Sequence, residues 1–174
     1  MKYKPQTKDE LIDLIEKNTK FNKIDTSLIT DMSGLFKDSM LRNFSGIETW
    51  DTSNVENMQG MFGSAESFNH PLDKWDTSNV VNMNFMFYNA KNFNQNINTW
   101  NVSKVTNMSS MFSSAKKFNQ PLNDWDVSNV KDMEFMFFES ESFNQPLNNW
   151  NVSKVANMSG MFEGAKSFNH SIEN

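Results

Sequence analysis

Five tryptophans stand 25 residues apart, at Trp50, Trp75, Trp100, Trp125 and Trp150. Each opens nearly the same phrase, from WDTSNVENMQGMF at Trp50 to WNVSKVANMSGMF at Trp150. A degenerate earlier copy, IDTSLITDMSGLF, starts at Ile24 and runs one residue longer before the next Trp. A fixed period of roughly 20–50 residues implies a solenoid, a propeller or an array, because one unit cannot bury its own apolar side chains. A propeller blade takes about 40–45 residues, so a 25-residue unit fits one coil of a solenoid.

Within each unit the other large apolar positions keep the period: Val55, Met58, Met61, Phe62, Ala65, Phe68 and Leu72 in the first full copy. The fourth full copy carries Ser140 where the others have Ala. Met58, Met61, Phe62 and Ala65 fall at i, i+3, i+4 and i+7, which predicts a short helix with one buried stripe. Asp51, Thr52 and Ser53 precede it as N-cap types. The stretch SFNHPLDKW predicts a short strand stacked in parallel on its equivalents, interrupted by Pro71, Pro121 and Pro146, which lack the amide a ladder needs. The expected architecture is therefore α/β: a single-domain, leucine-rich-repeat-like solenoid of about six coils, with short parallel strands on one side and short helices on the other. Residues 1–20 are set apart as an N-terminal cap and 21–174 as the solenoid. Thr7 and Glu10 have capping-box spacing, and Leu11, Ile12, Leu14 and Ile15 give residues 7–17 an apolar helical face that should cover the first coil.

The chain holds 16 Phe and 13 Met, yet only 37% of its residues are hydrophobic and its net charge is −5. Absence of a basic patch argues against a nucleic-acid partner. With no Cys, disulfides, thiol nucleophiles and zinc–thiolate sites are excluded. No apolar run reaches the length of a membrane span, so no membrane insertion is expected. The first twenty residues lack the apolar core of a secretory signal.

The motif W-[DN]-[TV]-S-[NK]-V-x-[ND]-M-x-x-M-F, followed by F-N-Q-P-L, resembles the bacterial surface-protein repeat of about 26 residues grouped with BspA-type leucine-rich-repeat proteins. The resemblance covers residues 21–174. It implies a leucine-rich-repeat-like solenoid and a role in adhesion or surface interaction, on the bacterial surface or secreted. The missing signal keeps a cytoplasmic location as the alternative.

Candidate chemical sites are few. His70 and His170 hold one repeat position four coils apart, roughly 19 Å at strand spacing, too far to share a metal. Gln95, Gln120 and Gln145 occupy the places between them. Asp51, Asp76 and Asp126 line up as a calcium column would, but Asn101 and Asn151 interrupt it, and capping explains the Asp better. The Asn columns, Asn69 to Asn169 and Asn57 to Asn157, are read as closing backbone groups between coils. No catalytic, cofactor or metal residue is assigned and no enzyme activity is expected. Phe85 and Tyr88, with Phe135 and Phe138, replace small or polar residues and should face outward, opposite the Met stripe. They form the candidate interaction surface, with packing against a neighbouring loop as the competing reading. The expected function is a non-enzymatic module that binds a protein or glycan. An intracellular scaffold is the alternative, and an enzyme with a loop-borne site a third. An uncovered C-terminal edge near Ser167–Ile172 suggests fraying or a weak homodimer.

Overall fold

The computed structural model describes residues 2–171. Its first element, α1, spans Lys8–Glu16. The Thr7 side chain accepts the Glu10 amide at 3.2 Å, and Glu10 Oε2 accepts from the Gln6 amide at 2.6 Å. Leu11 is fully buried, with Leu14 and Ile15 packed against the same core. Lys8 Nζ donates to Ser33 Oγ at 2.6 Å, tying α1 to the first coil. Tyr3 forms a parallel bridge with Ile24, a contact that the sequence pattern does not announce.

Six coils follow, beginning at Ile24, Trp50, Trp75, Trp100, Trp125 and Trp150, and they stack in register. They do not form the expected α/β, leucine-rich-repeat-like arrangement. Among the described residues α1 is the only α-helix, joined by two 3₁₀ turns at Phe21–Lys23 and Ile47–Thr49. The described residues contain no extended strand; besides the Tyr3–Ile24 bridge, single parallel bridges join Asp31, Asn57, Asn82, Asn107, Asp132 and Asn157 in sequence.

The expected helix fails for a backbone reason. The eleventh residue of every coil has positive φ: Gly34, Gly60, Phe85, Ser110, Phe135 and Gly160, between +52° and +64°. So does the fifteenth: Asp38, Ser64, Asn89, Ser114, Glu139 and Gly164. A left-handed residue cannot continue an α-helix. The Met-x-x-Met-Phe stretch folds instead as successive tight turns, with Met61 N bonded to Met58 O, Gly63 N to Gly60 O and Ala65 N to Phe62 O. Every second amide is left pointing along the stack. Met58, Gly60, Phe62 and Ser64 donate to the carbonyls of Asn82, Asn84, Met86 and Tyr88 in the next coil, at 2.6–2.9 Å. The apolar spacing that looked helical is met by these turns, because Met58, Met61, Phe62 and Ala65 all remain buried.

The expected strand fails for a different reason. Around Pro71, Pro121 and Pro146, side chains do the joining. The amides of Asn94, Asn119, Asn144 and Asn169 each donate to the Asn Oδ1 one coil earlier, at 2.9–3.1 Å. Gln95, Gln120 and Gln145 donate to the same oxygens from their side chains.

The core is a set of aromatic columns. Phe62 and Phe68 stack at 3.9 Å within one coil, and Phe62 and Phe87 at 5.7 Å with an interplanar angle of 3° between coils. Each Trp buries its ring and donates Nε1–H to a carbonyl 28 or 29 residues earlier, as Trp125 does to Ile97 at 3.1 Å. Thr26, Thr52 and Thr77 are buried with their hydroxyls bonded to the following coil. Buried Ser140 bonds the Phe112 carbonyl at 2.6 Å, which satisfies the hydroxyl that Ala lacks.

At the C-terminal end, the amides of Met158, Gly160, Phe162 and Gly164 have no hydrogen-bond partner among the described residues. Ile172, at the limit of the expected dimer edge, lies outside them.

Met111 is fully buried between Phe-lined coils. Met111→Asp places an unpaired carboxylate there and should cost at least about 3–4 kcal/mol. Loss of a cooperative thermal transition by circular dichroism is expected. A melt within a few degrees of the parent would show that this column is not interior.

Candidate functional site

The aromatics that replace small or polar residues stand in the eleventh and fourteenth columns of the stack. Reading from the first coil, the pairs are Gly34/Lys37, Gly60/Gly63, Phe85/Tyr88, Ser110/Ser113, Phe135/Phe138 and Gly160/Glu163. Aromatic pairs alternate with small ones, so the face is corrugated. Phe85 and Tyr88 lie edge to face with centroids 5.8 Å apart, and Phe135 and Phe138 at 5.4 Å. The serine coil lies between the two pairs. Phe85 is 41% exposed and Tyr88 40%, while Phe135 and Phe138 are half-buried.

Their outward direction comes from backbone geometry, not from a helical wheel. Phe85 and Phe135 sit at φ +57° and +52°, where a bulky residue is disfavoured by roughly 1–2 kcal/mol. Three other coils place glycine at this position. The Phe135 ring lies flat against the backbone of the next coil. A Cβ added at Gly160 would stand 2.3 Å from its Cε1 and 3.4 Å from Glu163 Oε2. Glu139 lies over Gly164 in the same way, its Cγ 3.1 Å from where a Cβ would be. Val81, beside the first pair in sequence, is also 41% exposed.

Two troughs flank the ridges. One, about 640 Å³, runs over Gly34, Gly60 and Gly63 against a wall of Phe85 and Tyr88, with Lys37 among its lining residues. The other, about 510 Å³, crosses the serine coil over Ser110, Ser113 and Ser114, between Tyr88 and the Phe135/Phe138 pair, with Glu139 and Glu163 also lining it. Sequence reasoning found the four aromatics and missed Lys37, Glu139, Glu163 and the glycine floors. The signal for Lys37, Glu163 and the glycines was the same pair of columns, read in the coils where no aromatic stands; Glu139 lies one position further on, beside Phe138.

The remaining candidates resolve into structural roles. Asp51, Asp76 and Asp126 cap turns rather than helices, each accepting the amide two residues on. Asn101 and Asn151 do the same with Ser103 and Ser153. Hydrogen bonds from Ser78 and Ser128 hold the Asp76 and Asp126 carboxyls below the ordinary range, and Ser27 does so for Asp25. Lys166 and Lys116 lower Glu141, which pairs with both. His70 Nε2 meets Glu48 Oε2 at 2.7 Å, whereas His170 Nε2 lies 3.3 Å from the Asn144 carbonyl. No group of three or more His, Asp or Glu that could hold a metal gathers among the described residues. No helix there is long and apolar enough to cross a membrane.

These features define a repeat protein whose coils are built from turns and which carries a corrugated aromatic face. The chain belongs to the family described as Mycoplasma protein of unknown function, DUF285, whose model matches residues 8–119 and again residues 94–174. No curated protein and no solved structure matches it.

Two expectations follow. The three aspartates have depressed folded pKa values, so their stabilisation is present above the unfolded carboxylate range, about pH 4, and is lost as pH falls below it. The triple variant D25N/D76N/D126N keeps the acceptor oxygen and should show a shallower fall in melting temperature between neutral and acidic pH; an unchanged slope would refute the assignment. Separately, Gly160→Ala should cost about 1–2 kcal/mol more than Gly60→Ala, because only the former meets a ring while both sit at positive φ. Adding Phe135→Ser should bring the two costs together in denaturant titrations.

Proposed function

We propose that this protein is a non-enzymatic interaction module whose corrugated aromatic face binds a protein or glycan partner, in the manner of an adhesin-like surface or secreted repeat protein. The observation that carries the reading is the backbone at Phe85 and Phe135. A left-handed position is occupied by a large aromatic at two alternate coils, at an energetic cost that glycine avoids in three other coils. Partial burial returns only part of that cost, since Phe85 stays 41% exposed. Aromatic ridges with small-residue troughs are what a binding surface needs: rigid rings with little rotamer entropy to lose and space for a complementary group. The resemblance to bacterial surface-protein repeats points the same way.

The test replaces Phe85, Tyr88, Phe135 and Phe138 together by Ser, the residue that Ser110 and Ser113 already provide at these positions. The melting temperature should stay within a few degrees of the parent, while binding to immobilised extracellular-matrix proteins or to a glycan array is lost. A collapse in melting temperature would assign the four rings to packing. A parent protein that binds no component better than the variant would sink the interaction reading.

A further inference from the structure

The two troughs differ in charge. Lys37 lines the trough over Gly34, Gly60 and Gly63, with no carboxylate among the lining residues. The trough over the serine coil has Glu139 and Glu163 and no cation. Two acids at the seventeenth position are paired: Glu66 with Lys91 at 2.6 Å, and Glu141 with Lys166 at 3.1 Å and Lys116 at 3.5 Å. Glu139 and Glu163 have no ion-pair partner among the described residues. Glu139 lies over Gly164 with Oε2 accepting from Ser114 Oγ at 3.3 Å, and Glu163 Oε2 lies near the Phe135 ring at Gly160.

We propose that the trough walled by Tyr88, Phe135 and Phe138 takes the lysine or arginine side chain of an extended segment of a partner protein, with Glu139 and Glu163 as its counter-charges. The inference rests on the interaction reading above and names its partner class. An aliphatic stem ending in a cation matches each part of the trough. Its methylenes cover the rings, its charge faces their π-clouds, and its N–H groups reach the two carboxylates. A neutral sugar would satisfy the rings but leave two carboxylates uncompensated. The volume, about 510 Å³, accommodates the side chain with parts of its neighbours. The net charge of −5 adds long-range attraction for a basic segment.

The probe is a displayed library of random linear peptides, selected on the intact protein alongside a glycan array. Enriched peptides should carry Lys or Arg flanked by apolar residues. A synthetic enriched peptide should bind the E139Q/E163Q variant about tenfold more weakly, and raising the salt should weaken binding to the parent. These two exposed substitutions leave the packed rings untouched, so loss of fold does not cloud the result. Peptides enriched without a cation, or equal affinity for parent and E139Q/E163Q, would overturn the proposal. Glycan binding alone, abolished by F135S/F138S, would also overturn it while leaving the interaction reading intact. Absence of any peptide or glycan binding that depends on this face would overturn both.

Discussion

Four amides in each coil, such as those of Met58, Gly60, Phe62 and Ser64, point along the stack and not back into their own turns. A buried amide without an acceptor is costly, so a coil of this kind is complete only when another lies against it. The two left-handed residues per coil are what turn these amides outward. The 25-residue interval follows from this pairing. A coil one residue longer or shorter within the turn stretch would bring every donor opposite a neighbouring amide instead of a carbonyl. The first coil carries its one extra residue after that stretch, between Phe36 and Trp50, where side chains do the joining. Once the backbone register is set, the Phe, Met and Trp columns stack as a consequence, and rings one coil apart settle at 5.5–6.0 Å.

How much of this could be read from the sequence depended on which property the spacing encodes. Equal spacing of Trp and Phe encodes stacking directly, because identical side chains at a fixed interval fill one column. The helix was illegible because burial at i, i+3, i+4 and i+7 constrains which side chains point inward, not the φ of the residues between them. Met58, Met61, Phe62 and Ala65 are buried equally well by two turns. A clue was present in glycine at the eleventh position of three coils, Gly34, Gly60 and Gly160, but Phe85 and Phe135 obscure it, since no propensity assigns a left-handed conformation to phenylalanine. The supposed strand was illegible for the opposite reason. Its prolines were recognised as interruptions and its Asn column as closing backbone groups between coils; what the pattern hid is that the Asn69–Asn169 side-chain ladder replaces a strand there instead of supporting one.

The same distinction separates the legible and hidden parts of the candidate site. Aromatic substitutions in a polar column stand out in sequence, and four residues were found that way. The carboxylates did not stand out, because an exposed glutamate is ordinary until its neighbours are known. Glu139 and Glu163 become distinctive only when the stack places them together along one trough beside Phe135 and Phe138.

The stack also has a direction, and that constrains how its ends can associate. From the eighth to the fifteenth position each coil donates four amides forward, at Met158, Gly160, Phe162 and Gly164 in the coil from Trp150, while its seventh residue, such as Val81 or Ala156, donates one amide backward. Along this row alone a two-fold axis would set donors against donors, so a tail-to-tail pairing of the kind the sequence suggests would have to draw on other groups. The complement of four evenly placed donors is a row of alternate carbonyls, such as the one each coil turns toward the coil before it. The near side of the first coil is where α1 packs, with Leu11 buried and Lys8 bonded to Ser33. Head-to-tail growth between copies therefore requires displacing α1.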